Sequence, residues 1–166
     1  MVNGKTLSVH RVEVRDIASD FIERMDDRIL YVIGSGSKIA GILAAIGLDS
    51  TLMGVDPLQV GTLVGRDLTE VDLVHGLSTG QFARIIVTAI ISQGRILGSG
   101  HQQISTAALW LAGSQNLEII ASKSKLNGLE RSPLLVGTGD LDLDDALRGL
   151  RPVTTGYEDR VLHRVA

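Results

Sequence analysis

A chain of 166 residues suits one domain, which at this length buries about 70% of its extended-chain surface and needs no staples. Cysteine is absent, which excludes disulfides, thiolate zinc sites and a cysteine nucleophile. The net charge of −3, from 16 basic and 19 acidic residues, leaves no electrostatic footprint for nucleic acid.

No apolar run approaches the ~20 residues of a membrane helix, and the amino terminus, MVNGKTLSVHRVEVRD, has no apolar signal-peptide core. A cytoplasmic protein with no membrane partner is expected. Aromatic residues make up only 3% of the chain while aliphatic residues and glycine abound, as in α/β layers.

In chain order, the alternation in LSVHRVEVR (7–15) predicts an exposed strand. Asp16 is then a plausible N-cap for a helix with Ile17, Phe21, Ile22 and Met25 on its apolar face. Residues 1–28 read as this strand and helix leading into a core of residues 29–166. The apolar run ILYVI (29–33) predicts a buried strand, GSGS follows as a turn, and Ile39, Ile42, Leu43 and Ile46 take helical spacing up to a stop at Gly47. TLMGV (51–55) reads as a strand ending at Asp56-Pro57. Thr69 with Asp72 three residues on signals a capped helix to Leu77. ARIIVTAII (83–91) is the strongest strand signal. STAALWLAG (105–113) predicts a helix with Ser105 as N-cap and Gly113 just past its end, LEIIA (117–121) a strand, LDLDDALRGL (141–150) a helix opening on acids, and 151–165 a hairpin around Gly156. The expected fold is therefore α/β: a three-layer arrangement with a mostly parallel sheet, helices on both faces and a C-terminal hairpin.

Four stretches carry chemistry. In GSGSK (34–38), Gly34, Ser35, Gly36 and Ser37 can aim backbone N–H groups at an anion, with Lys38 adding charge; an ordinary turn capped by Ser35 or Ser37 is the competing reading. Neither the dinucleotide fingerprint nor the P-loop is met. Asp56, placed where a strand should end, suits a ribose hydroxyl, a metal-bound water or a turn before proline. In SQGRILGSGHQQIS (92–105), the amides of Gln93, Gln102 and Gln103 offer donor and acceptor together, as base or ribose recognition needs, Arg95 suits a phosphate, and His101 can donate or titrate; Gly98 and Gly100 make the turn. A solvated glycine-rich hairpin is the plain alternative. In GTGDLDLDD (137–145), the acids suit either magnesium, with Asp140 as ligand, or a first helical turn capped by Asp140. The lysines of SKSKL (122–126) either reach a phosphate or cover a rim, and His10, His75 and His163 stand isolated.

Four segments carry a resemblance. LYVIGSGSKIAGILAAIGLDSTLMGVD (30–56), ARIIVTAIISQGRILGSGHQQIS (83–105), EIIASKSKL (118–126) and GTGDLDLDDALRGLRPVTTGY (137–157) resemble, in this order, the C-terminal half of ATP-NAD kinase-like proteins of the acetoin-catabolism protein X type. These are prokaryotic relatives of NAD kinases and diacylglycerol kinases. The likeness spans about residues 28–165, and its most specific part is the Gln-Gln-Ile-Ser segment. It departs from the family pattern at Gly34-Ser35-Gly36-Ser37-Lys38, where Gly-Pro-Gly-Thr-Thr is usual, and at Ser99 and His101, which replace an arginine and an asparagine. Gly137 stands where aspartate is common.

The resemblance implies ATP- or polyphosphate-dependent phosphorylation of NAD or a related substrate, with ATP and Mg as cofactors. Phosphates would lie at Gly34–Ser37, and ribose or adenine at Asp56 and the 98–103 loop. The superfamily's catalytic Gly-Gly-Asp-Gly belongs to an N-terminal kinase-type domain and does not occur in this chain. The expectation is therefore either one portion of a longer enzyme or a non-catalytic nucleotide-binding module. A structural or oligomerisation domain is the third reading, and a homo-oligomer is compatible with all three. Family NAD kinases have largely β C-terminal domains, whereas the helical spacing here predicts α/β.

Overall fold

The computed structural model of the protein describes residues 4–34, 37–45, 56–59, 62–63, 69–80, 82–89, 94–97 and 104–166. Helix α1 (Gly4–Glu23) precedes strand β1 (Leu30–Ile33) and helix α2 (Ser37–Ala45). Strands β2 (Asp56–Gln59) and β3 (Thr62–Leu63), helix α3 (Glu70–Ser78) and strand β4 (Ala83–Thr88) follow. Next come β5 (Arg95–Leu97), α4 (Thr106–Ala112), a 3-10 turn at Ser114–Asn116, β6 (Leu117–Ile120) and α5 (Lys123–Gly128). The chain ends with β7 (Leu135–Val136), α6 (Leu141–Leu147), β8 (Gly149–Gly156) and β9 (Asp159–Val165).

Seven strands form the main sheet in the order β3-β2-β1-β4-β6-β8-β9. Its centre, β1-β4-β6-β8, is parallel, and antiparallel strands flank it on both sides. Successive residues of a strand point to opposite faces, and both faces of the central strands are apolar. Val32, Ile85, Val87, Ile119 and Val153 share a core with Leu73 and Leu77 of α3, Ala108 and Leu109 of α4, and Leu143 and Leu147 of α6. Tyr31, Ile33, Ile86 and Ile120 share a second core with Ile17 and Phe21 of α1 and Ile39 and Leu43 of α2. Phe21 meets Tyr31 edge-on with ring centroids 5.2 Å apart. The result is the expected three-layer α/β fold with a C-terminal hairpin. Among the described residues no helix is long and apolar enough to cross a membrane.

Several expectations need correction. Residues 7–15 are not a strand but the body of α1, and Asp16 lies mid-helix rather than capping it. The reason is legible afterwards: Val14, Ile17, Ala18 and Phe21 already follow the i, i+3, i+4, i+7 spacing of a helical face. Ile17, Ala18 and Phe21 are buried in the second core, which packs α1 against the sheet. Of the other two residues expected on its apolar face, Ile22 is exposed and Met25 lies beyond the helix, packed against the second core. Helix α6 stops at Leu147, since Arg148 is extended and Gly149 has φ +117, so Gly149 and Leu150 open β8 instead. The hairpin turns at Tyr157 and Glu158, just after Gly156. Asp56-Pro57 does not end a strand; both residues lie within β2, which runs on to Gln59. The expected strand at 51–55 and the end of the one at 83–91 lie outside the described residues.

Caps fall where expected. Thr69 and Asp72 form a reciprocal capping box on α3, and Ser105 Oγ accepts from the Ala108 N–H to start α4. Unforeseen were helix α5 and the small parallel pair β5-β7, too short to show a period.

Candidate functional site

The four parallel strands all run the same way, so their carboxyl ends share one edge. From β1 the chain moves outward to β2 and β3, while from β4 it moves the other way to β6 and β8. The crevice between β1 and β4 is thus a topological switch point, the place where open α/β sheets bind ligands. Here the Gly34 N–H donates to the Ile86 carbonyl (2.9 Å), and the Ala89 N–H to the Ile120 carbonyl (3.3 Å).

Gly34 is buried against the segment that follows the glutamine pair. A Cβ on Gly34 would stand 3.2 Å from the Ile86 carbonyl oxygen, 3.7 Å from Ile104 Cδ1 and 3.9 Å from Val87 Cγ1. Two stretches 70 residues apart in sequence, the GSGSK turn and the end of ILGSGHQQIS, therefore meet at this edge. Helix α2, described from Ser37, follows Gly34 closely, so its N-terminal turn lies at the same edge. The backbone of Lys38 belongs to its first turn. Asp56 arrives by an unexpected route: the antiparallel register sets it opposite Ile33, the last residue of β1.

Ser35, Gly36, Gln93, Gly98, Gly100, His101, Gln102 and Gln103 lie outside the described residues. Arg95 is exposed on β5, with its Nη1 3.5 Å from where a Cβ on Gly137 would sit, so it is placed against the β7 turn. Farther along the edge, Lys123 at the start of α5 pairs with Asp159 at 2.6 Å and holds that carboxyl below the usual carboxylate range. His163 shares a hydrogen bond with the Ser132 carbonyl (3.0 Å).

Asp140 caps α6. Its Oδ1 accepts from the Asp142 and Leu143 N–H groups (3.0 Å each), and its Oδ2 from Trp110 Nε1 (3.0 Å). These donors, Trp110 foremost, lower its pKa. Among the described residues no group of three or more His, Asp or Glu could hold a metal ion. A depressed folded pKa means that the stabilisation is complete above the ordinary carboxylate value and is lost as pH falls through the lower folded one. Asp140→Asn is therefore expected to destabilise the protein at neutral pH and to flatten the acid limb of its stability profile. Urea midpoints measured between pH 2 and pH 6 check this, and parallel profiles for the two proteins would contradict it.

A second polar constellation escaped the reading of the sequence. Asp20 of α1 is only 2% exposed; its carboxylate takes Arg24 (2.8 Å), Arg160 (3.0 Å) and the Glu158 N–H (2.9 Å). Arg24 also donates to Glu118 (2.6 Å), which accepts from Thr154 Oγ1 (3.0 Å) as well. Burial works against the Arg24 cation, but the Glu118 and Asp20 carboxylates together outweigh it and raise its pKa. The available signal was a charged residue inside each of two apolar strands, Arg84 in ARIIVT and Glu118 in LEII.

Comparisons of the chain with protein-family models, curated proteins and solved structures each find no match.

Proposed function

We propose that this chain is a nucleotide-binding module of the NAD kinase-like type, holding its ligand at the carboxyl edge between β1 and β4. The observation that carries this reading is the approach of Ile104 to Gly34 at the switch point. It brings a glycine turn at a helix start, suited to phosphate, beside the end of an amide-rich stretch suited to ribose or base. Both stretches belong to the segments that resemble the ATP-NAD kinase-like family. Asp56, opposite Ile33, is the acceptor proposed for a ribose hydroxyl.

Phosphoryl transfer depends mainly on positioning and charge neutralisation. In this reading the chain supplies positioning, and a catalytic base comes from a kinase-type domain bearing Gly-Gly-Asp-Gly. Asp140 does not fit a magnesium site, because its oxygens are committed to the α6 N-terminus and Trp110, so no step is routed through a metal ion.

Isothermal titration with NAD, and separately with ATP plus magnesium, tests the proposal. Saturable binding of at least one is expected. Absence of heat with both, in a sample shown to be folded, would refute it and favour a structural role.

A further inference from the structure

At the opposite, amino edge of the sheet, Ile29, Phe82 and Asn116 immediately precede β1, β4 and β6. They border a cavity of about 270 Å³. A second cavity, of about 190 Å³, adjoins it through the shared residues Arg84 and Asn116 and reaches Thr154 and Arg160. Ile29, Phe82 and Ala83 give the first an apolar side, and Asp26, Arg28, Arg84 and Asn116 line the rest. Phe82 is 77% exposed, although its carbonyl is fixed by the Leu30 N–H (2.9 Å). The one carboxylate on that wall, Asp26, is neutralised by two hydrogen bonds from Arg28 (2.9 and 3.1 Å).

The second cavity is cationic. Arg24, Arg84 and Arg160 face two carboxylates, Asp20 and Glu118, leaving one positive charge in excess. Those carboxylates are already saturated by Arg24, Thr154, the Glu158 N–H and a single Arg160 nitrogen. The Arg84 side chain makes no hydrogen bond among the described residues; its ion-pair partner, Glu118 Oε2, is 3.9 Å away. It is only 34% exposed. A guanidinium without a hydrogen bond, about two thirds withdrawn from water and lining the same cavity as Arg160, whose only side-chain hydrogen bond among the described residues is from Nη2 to Asp20, is suited to a tetrahedral oxyanion.

We infer that this paired cavity binds a phosphomonoester with an aromatic body, its phosphate on Arg84 and Arg160 and its ring on Phe82 and Ile29. The site is separate from the carboxyl edge and does not rest on the nucleotide proposal.

Phenyl phosphate, inorganic phosphate and phenol are the probes, titrated calorimetrically into the full chain. Phenyl phosphate is expected to bind saturably and at least tenfold more tightly than either fragment. Arg84→Ala should weaken it at least tenfold, and Phe82→Ala should reduce it to the level of inorganic phosphate. Neither side chain makes a hydrogen bond among the described residues, so both variants should unfold near the wild-type temperature; Arg84→Gln serves if Arg84→Ala does not fold. The double variant Gln102→Ala/Gln103→Ala should bind phenyl phosphate unchanged. No saturable binding to the wild type, wild-type affinity in the Arg84 and Phe82 variants, or loss confined to the glutamine variant would each overturn the inference.

Discussion

Asp20→Ala is expected to lower the unfolding free energy by about 3–5 kcal/mol, the usual cost of removing one member of a buried ionic group. Asp20 ties three parts of the fold: its own helix through Arg24, the β8-β9 turn through the Glu158 N–H, and β9 through Arg160. With the buried carboxylate gone, two guanidinium groups, each about a third exposed, lose a partner, and a turn N–H loses its acceptor. Asp20→Asn keeps an acceptor for the turn and should cost less. Urea denaturation at neutral pH measures both. A loss under about 1 kcal/mol for the alanine variant would place these charges among surface ion pairs, which contribute that little.

Gly34→Val should fold with reduced stability and lose at least tenfold in affinity for the nucleotide that the wild type binds. The φ angle at Gly34 is not in the left-handed region, so the obstacle is space and not backbone strain. The first added carbon already stands 3.2 Å from the Ile86 carbonyl oxygen, and two more methyl groups must push toward Ile104 or Val87. Overpacking of this kind costs about 1–3 kcal/mol. Displacing Ile104 moves the attachment of the 98–103 stretch, which couples the packing defect to the proposed ligand site. Gly34→Ala, with only the one tight contact, should show a smaller loss of both. Melting temperature and calorimetric affinity report the two effects separately, and a folded valine variant of undiminished affinity would contradict the coupling.

Much of the scaffold was legible because its signals are local. ILYVI, ARIIVT and LEII are apolar on both faces, as strands covered on both sides must be, and Thr69, Ser105 and Asp140 cap the helices their side chains announced. The first half of α1 was misread because a short alternating run satisfies a strand pattern, while the buried residues Ile17, Ala18 and Phe21 that dock the helix lie farther along it. Strands β5 and β7, three and two residues long, are defined by their pairing and not by any repeat. At the candidate site, the glycine turn and the glutamine stretch were each visible as chemistry, but their meeting depends on β4 lying beside β1, which periodicity does not encode. Asp56 was placed at this edge for another reason than the expected one, since it lies in an antiparallel strand opposite Ile33 and not at a strand end. The polar row of Arg84, Glu118, Thr154 and Arg160 is assembled from four strands; Arg84 and Glu118 each stood out as a charge in an apolar run, but nothing in a single strand showed that the four meet.

The most direct measurement of the central claim is amide hydrogen exchange on the chain with and without saturating NAD. A ligand at the switch point predicts slowed exchange at residues 34–40 and 98–105 together, because the two stretches meet at Gly34 and Ile104. Unchanged exchange in both stretches, or slowing confined to the amino edge at residues 24–30 and 114–118, would contradict a nucleotide site between β1 and β4.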